Sequence, residues 1–458
     1  MKSSDKEELL AKGAIVPTML KLGIPTFVAQ LIFLLYNVVD RIYIGHIPGQ
    51  GSAALTGLGI CFPILSLVTA FASFVGAGGS PLAGIALGKG DKEEAEKILA
   101  NGLIMLVGFA VILTVVFQII KKPFLYMFGA SDVTYPYAGA YLSIYLCGTI
   151  FVLLALGLNT FIIVQGQSTI AMISVLLGAI LNIVLDPIMI FIMGLGVRGA
   201  AFATIISQAV SAIWILKFLL SKKATIRIRK SKLFVDLKVM RNITALGISP
   251  FIMSATESVI TIAFNTGAQK YGNDLYVGSI TILQSVLQMI FVPLNGFTQG
   301  CQPLISYNYG AQNIKRVKKT SYILLGITFT FSFVLSGLSI IFPGEIASIF
   351  TDSKELIVLC DKVLPIYIFG MLAFGLQTGS QTTFMALGKA KQAFFFAVFR
   401  KIILLTPLVI ILPKVMDSVM GIYYAEPISD AISAICCFIV CIRTLSSLNQ
   451  GEEIRKSL

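Results

Sequence analysis

Long apolar runs recur along this chain with little between them, and this constrains its fold more than any other feature. They lie at 18–44, 54–79, 98–120, 134–160, 168–194, 199–220, 243–268, 276–302, 321–342, 356–386, 391–413 and 418–442. About 20 residues at a rise of ~1.5 Å each cross the ~30 Å hydrocarbon core of a bilayer, so each run is long enough for a spanning helix. Composition points the same way. Of 458 residues 56% are hydrophobic and 12% charged, whereas an average soluble domain is about 25% charged. A soluble enzyme is thereby excluded, and an all-α integral membrane protein with 12 transmembrane helices is expected.

Twelve spans leave both termini on one side, and the basic residues say which. Of 35 Lys and Arg, 25 fall at the ends or in the loops of that side. Eight fall opposite: Arg41, Lys121, Lys122, Arg198, Lys270, Lys354, Lys362 and Lys414; Arg400 and Lys401 lie within span 11. The positive-inside rule places both termini and the long linker in the cytoplasm. The net charge of +13 is then an orientation signal, and no nucleic-acid partner is expected. The linker KKATIRIRKSKLFVDLKVMRN (222–242) interleaves basic and apolar residues. It reads as a basic amphipathic, partly helical connector along the anionic inner leaflet. The polar N-terminus lacks a small-residue cleavage site and reads as a retained cytoplasmic lead-in. Cys61, Cys147, Cys301, Cys360, Cys436, Cys437 and Cys441 lack metal or redox spacing and read as packing residues.

The chain also repeats itself. GKGDKEEAEK (88–97) matches GAQNIKRVKK (310–319) at an offset of 222, each seven residues after a proline, Pro81 and Pro303. Gly148 and Gly370, Gly166 and Gly388, Gly199 and Gly421, and SAIW (211–214) and SAIC (433–436) keep the register. An even number of spans per repeat gives both halves the same orientation, hence two pseudo-symmetric six-helix lobes about an axis along the membrane normal. The expected division is 1–221, a linker at 222–242, and 243–458. Paired lobes of this kind enclose the central cavity of an alternating-access transporter.

Charges in hydrocarbon are costly unless they face a cavity or a partner. Asp40, in YNVVDRIYIG, and Asp186, in LNIVLDPIMI, precede Gly45 and Gly194 by five and eight residues on helices that run the same way. They are expected at similar depth, in one pocket, where two carboxylates cannot both ionise cheaply and a proton binds and leaves. Pro187 removes a backbone donor and is the expected hinge of span 5. Gln30, Tyr36 and Asn37 lie near the face of Asp40. Tyr141, Tyr145 and Asn159 in span 4, Asn182 in span 5, and Thr204, Ser207, Gln208 and Ser211 in span 6 continue the polarity. Interhelical packing is an equal reading for the individual hydroxyls.

In the second half Asp40 falls on Ile262, and Asp186–Pro187 lines up with Thr406–Pro407 after a two-residue shift, so the acids are not repeated. Glu257, on a face with Ser254, Thr261 and Asn265, has no obvious local base and reads as a cavity acid for a cationic substrate or proton. Span 8 adds Gln284, Gln288, Asn295, Gln299 and Gln302. Glu426 and Asp430 in span 12 and Arg400 and Lys401 in span 11 read as neutralising one another.

Along its whole length the sequence resembles the multidrug and toxic compound extrusion (MATE) transporters, most closely bacterial members of the DinF and MepA type. The motifs are YNVVDRIYIG (36–45), GLGICFP (57–63), GAGGSPLAGIALGKGD (76–91), LNIVLDP (181–187), QPLISYNYGAQN (302–313) and AEPISDAIS (425–433). The resemblance implies lobes that rock about a central cavity in a bacterial plasma membrane, exporting cationic amphipathic drugs in exchange for H⁺ or Na⁺. Residue types of a first-lobe coupling network match at Asp40, Tyr141, Asn159, Asn182, Asp186 and Thr204. NorM-like members use second-lobe acids in spans 7 and 10; Glu257 matches, but span 10 offers only Gln377 and Gln381, so H⁺ coupling in the first lobe is expected, with Na⁺ the alternative. The substrate cavity is expected at Gln30, Tyr36, Asn37, Glu257, Asn265, Gln284 and Gln288. The implied partners are small cationic amphipaths and membrane lipids, with the protein a monomer needing no cofactor or metal. A flippase for a lipid-linked oligosaccharide is similarly built, but such sites tend to be cationic to hold pyrophosphate. An intramembrane enzyme is the remote alternative, since the lone His46 lies beside no HExxH or GxSxG pattern.

Overall fold

The computed structural model describes residues 3–49, 51–351 and 353–448, 87% of them helical and none in a strand. Lys2, Arg455 and Lys456, counted above for orientation, lie outside the described residues. A short helix α1 (Ser3–Lys12) precedes α2 (Ile15–Gly45), α3 (Gly51–Gly88), α4 (Lys92–Met127), α5 (Tyr135–Cys147), α6 (Thr149–Ile163), α7 (Ser168–Pro187) and α8 (Val197–Leu220). The second half has α9 (Leu237–Tyr271), α10 (Asp274–Gly310), α11 (Ile314–Ile341), α12 (Pro343–Ser348), α13 (Lys354–Ile368), α14 (Met371–Ala386), α15 (Ala390–Val398), α16 (Thr406–Met416) and α17 (Met420–Ser447). Two π-helical segments, Ile188–Ile192 and Phe399–Leu405, follow α7 and join α15 to α16. Counting the bent pairs α5–α6 (58°) and α13–α14 (43°) as one span each gives twelve.

The repeated landmarks have matching structural roles. Asp91 caps α4 by accepting from the Glu94 amide, and its counterpart Asn313 caps α11 by accepting from the Arg316 amide; such caps are worth about 1 kcal/mol. The bends in spans 4 and 10 fall at Gly148 and Gly370, whose added Cβ atoms would strike Ile205 and Pro427. Gly166 and Gly388 both have left-handed backbones, φ 72° and 68°, conformations that glycine adopts without steric cost.

Contact between the halves is concentrated at the end that carries the termini. There Gly23 meets Phe297, Gly300 meets Thr26, Gly78 and Gly247 pack backbone to backbone, and Gly88 and Gly310 pack against the carbonyls of Tyr307 and Ile85. Small residues let helices approach this closely without a hydrophobic driving force in lipid. Phe71 and Phe74 meet Phe251 edge to face at the upper limit of this seal. The α1 helix caps it: Leu10 is buried, touches Gly166 of the first half, and its carbonyl accepts from Asn308 of the second at 2.9 Å. Towards the opposite end, the core around Ile260, Phe264, Ile280, Leu364 and Tyr423 contains second-half residues alone, so the halves part into a cleft.

The linker is helical at Lys230–Lys232 and again from Leu237, where α9 begins, and the stretch between and before is strapped to the first half. Arg229 pairs with buried Glu96 at 2.8 Å, Lys232 with Glu93 at 2.9 Å, and Asp236 with Lys97, while Gln165 accepts from the Thr225 and Ile226 amides. The Lys97 ammonium, helped by the Val239 amide, holds the Asp236 carboxyl below its ordinary value. These partners on α4 and α6 are distant in sequence, so the segment shows only its basic-apolar alternation when read alone.

Bulk at the seal should force it open. Cys301 is fully buried there, its thiol against the Met19 carbonyl. With the other six cysteines replaced, Cys301 should resist N-ethylmaleimide, and Gly300→Leu should raise its reaction rate about tenfold or more, a ~1.4 kcal/mol shift in the opening equilibrium. An unchanged rate would show that these glycines do not hold the seal.

Candidate functional site

Each half buries one polar centre. In the first, Asp40 of α2 and Asp186 of α7 are near enough to interact electrostatically, and both are buried. Asn182, one turn before Asp186, donates Nδ2 to Asp186 Oδ1 at 3.3 Å. Asp40 Oδ1 and Asp186 Oδ2 have no hydrogen-bond partner among the described residues. The π turn Ile188–Ile192 begins directly after Pro187, so the irregularity expected at the proline is a widened turn; such turns are frequent at functional sites.

Beside the carboxyls lies a cavity of about 30 Å³, lined among others by Tyr36, Asn159, Asn182, Thr204, Ser207 and Gln208. That volume admits about one water. Asn159 Oδ1, Asn182 Oδ1 and Ser207 Oγ are buried without a protein partner, so the cavity has both the size and the polar atoms for one. Asn159 reaches it from α6, donating to Ser174 Oγ and the Ala171 carbonyl, each at 3.3 Å. Tyr141 is buried near Asp40 and Thr204, whose Oγ1 donates to the Ala200 carbonyl at 3.0 Å. The structure thus brings Asp40, Tyr141, Asn159, Asn182, Asp186 and Thr204 into one connected region.

The second centre is built from charge. Arg400 reaches Glu426 at 3.1 Å and Asp430 at 2.6 Å, with its guanidinium 4.5 Å from the centre of the Phe374 ring. Lys401 pairs with Glu257 at 2.8 Å. This corrects the expectation that Glu257 has no base: its partner lies on another helix 144 residues away, and no local spacing announces it. Neutralisation within the span 11 and 12 pairs holds for Arg400 alone. At the repeat offset of 222, Glu426 and Asp430 occupy the places of Thr204 and Gln208, so the two centres are equivalent in position and opposite in chemistry.

The residues expected to line a substrate cavity are dispersed. Tyr36 turns into the first half, where Gln208 Nε2 approaches its hydroxyl at 3.5 Å, and Asn37 donates to its own helix at the Phe33 carbonyl. Gln30 packs against Gly296 inside the seal. These three therefore do not form one wall of the cleft in this state. Asn265 and Gln284 are half-buried and Gln288 is exposed, on helices α9 and α10. In span 10, Gln381 donates to Ser249 Oγ and the Ala393 carbonyl, both at 2.8 Å, which staples α14 to α9 and α15.

The MatE family model matches the chain twice, over residues 25–188 and 250–411. The multidrug export protein MepA of Staphylococcus haemolyticus (strain JCSC1435) is 24% identical over 452 residues, spanning 98% of this chain and 97% of that protein. MepA of Staphylococcus saprophyticus is 23% identical over 435 residues, 94% of each chain. Among solved structures, the outward-facing conformation of a multidrug resistance MATE family transporter of the MOP superfamily superposes with a TM-score of 0.88 at 22% identity, covering 96% of this chain and 97% of that one. A MOP superfamily transporter from Pyrococcus furiosus Vc1, described as having a binding pocket of reverse polarity, superposes at 0.89 with 23% identity, covering 98% and 99%. At these identities the structural likeness establishes the fold.

The two centres should respond differently to loss of a charge. Arg400→Met strands two buried carboxylates and should cost about 3–5 kcal/mol. Glu257→Gln should cost less, about 1 kcal/mol, because that side chain is 49% exposed and the freed Lys401 still has Glu426 near it. Thermal unfolding of the purified variants in detergent checks the contrast; equal drops in Tm would contradict it.

Proposed function

The chain belongs to the MatE family of membrane transporters, and from that premise we propose that it is a secondary active multidrug exporter, expelling cationic amphipathic compounds in exchange for protons by alternating access. It is a multi-pass membrane protein and not an enzyme. The observation that carries the proton reading is the proximity of Asp40 to Asp186 in a buried region with their spare oxygens unpartnered. Two carboxylates this close repel when both are ionised and share a proton readily.

In this reading the first lobe is 1–221 and the second 243–458, and the membrane is the plasma membrane of a bacterium. Positive-inside places the sealed end, with both termini and the linker, in the cytoplasm. The cleft then faces outward, the state from which substrate leaves and a proton enters. A proton reaching Asp40 or Asp186 through the water-sized cavity removes one negative charge, and the π turn after Pro187 gives span 5 a place to change register. Loss of that charge lowers affinity for a bound cation. After release, the lobes close outside and open inside, and the proton departs to the cytoplasm. The carboxylates, Asn182 and Thr204 also present the oxygen donors that Na⁺ prefers, which makes Na⁺ the alternative coupling ion.

Acids dominate the groups offered to a substrate. Arg400 and Lys401, the two buried bases of the second lobe's polar centre, are both engaged by carboxylates rather than open to a diphosphate, which favours cation export over oligosaccharide flipping. The protein is taken to work as a monomer among membrane lipids.

The test is ethidium efflux from proteoliposomes under an imposed pH gradient in sodium-free medium. Wild type should transport, and Asp40→Asn and Asp186→Asn should each slow it about tenfold or more, the effect of ~1.4 kcal/mol. Substrate affinity of wild type should rise with pH, since deprotonation restores the negative charge, and this dependence should flatten in Asp186→Asn. Efflux that needs sodium, or variants with wild-type rates, would overturn proton coupling through this pair.

A further inference from the structure

The Glu257–Lys401 ion pair is open on one side. The Glu257 side chain is 49% exposed and that of Lys401 6%. Glu257 lies less than two turns beyond Phe251, where the seal ends, so its carboxylate faces the cleft with Lys401 behind it. Behind Lys401 sits the Arg400, Glu426 and Asp430 set, with Tyr367 of α13 close enough to sense all its charges. Three carboxylates and two bases leave one negative charge over. Asp430 is fully buried, and its Oδ2 has no partner among the described residues. Uncompensated buried charge is costly, so the set has room for one further positive charge, a proton or a cation.

We propose that Lys401 is a tethered stand-in for the cationic group of the substrate: a monovalent organic cation entering the cleft takes Glu257, and Lys401 withdraws to Glu426 and Asp430. This rests on the exporter reading and adds what the second lobe does in it. After the exchange the substrate neutralises Glu257, and two bases face two acids behind it, so the further charge is supplied. Breaking a buried pair normally strands one partner at a cost of several kcal/mol. Here the freed ammonium has acids waiting, because Glu426 already interacts electrostatically with Lys401, and a lysine side chain swings on four rotatable bonds. Lys401 also stands on the π segment Phe399–Leu405, an irregular turn that can shift register without breaking the helix. An anion meets the Glu257 carboxylate first and is repelled, so the arrangement selects for charge sign.

The experiment is equilibrium binding of tetraphenylphosphonium to the full-length protein in lipid nanodiscs. Lys401→Met removes the internal competitor and should tighten binding about tenfold. Glu426→Gln takes away one place for Lys401 to go, locks it on Glu257 and should weaken binding severalfold. Glu257→Gln should lose most of the affinity. Binding to Lys401→Met that equals or falls below wild type overturns the proposal while leaving the exporter reading intact. Should that variant fail to elute as a monodisperse protein, Glu426→Gln decides: weaker binding supports the tether, unchanged or tighter binding overturns it. A wild-type protein that binds no tetraphenylphosphonium at millimolar concentration overturns the exporter reading itself.

Discussion

Hydrocarbon offers a charge nothing to bind, and the interior of this protein is arranged around that fact. Among the described residues, each buried acid within the spans has an ionisable neighbour: Asp40 and Asp186 have each other, Asp430 and Glu426 have Arg400, and half-exposed Glu257 has Lys401. The helices that carry these groups are also the irregular ones. Both π segments lie beside a polar centre, and both spans with a glycine break pass next to one, Tyr141 on α5 and Tyr367 on α13. Where backbone hydrogen bonds are disturbed inside a membrane, neighbouring side chains must satisfy them, so polarity and irregularity occur together.

Repetition then makes the two centres comparable. One ancestral layout, with polar groups from the first, fifth and sixth spans of each half, has been filled in two ways. The first half holds carboxyls among amides and hydroxyls, a set that in the proposed cycle changes charge by binding a proton. The second holds charges of both signs, a set that in the proposed exchange changes partners. A transporter needs to sense both an ion and a substrate, and the division gives each lobe a chemistry suited to one of them.

How much of this could be read in the sequence depends on the range of the interaction. The spans were legible because hydropathy is local, and the matched breaks and caps because Gly148, Gly370, Asp91 and Asn313 stand at one offset. Asp40 and Asp186 could be brought together by depth alone, since both helices start from the same side. The Glu257–Lys401 pair could not, because it joins two spans with no shared motif and its register is set by a π turn invisible to periodicity. The linker's ion pairs were illegible for a similar reason. Alternating Arg, Ile and Lys fits a membrane surface and also fits a strap whose acids, Glu93 and Glu96, lie more than a hundred residues earlier. Tyr36 was read as facing the cleft from its place on the Asp40 helix, but the same stripe faces Gln208 once the helices pack.

That strap fixes where the second half is hinged. Asp236, the cap of α9, is tied to Lys97, and its amide donates to Asn101 at 2.8 Å, both on α4. The residue that caps α9 is therefore anchored to the first lobe, and in the proposed alternating access α9 is a lever about 52 Å long that turns on this fulcrum. A rocking of about 10° leaves the fulcrum still, displaces Glu257 by roughly 5 Å and the far end of α9 by roughly 9 Å. Motion grows linearly along the arm, so the substrate contact moves far enough to grip or free an organic cation while the strap's short ion pairs need not stretch.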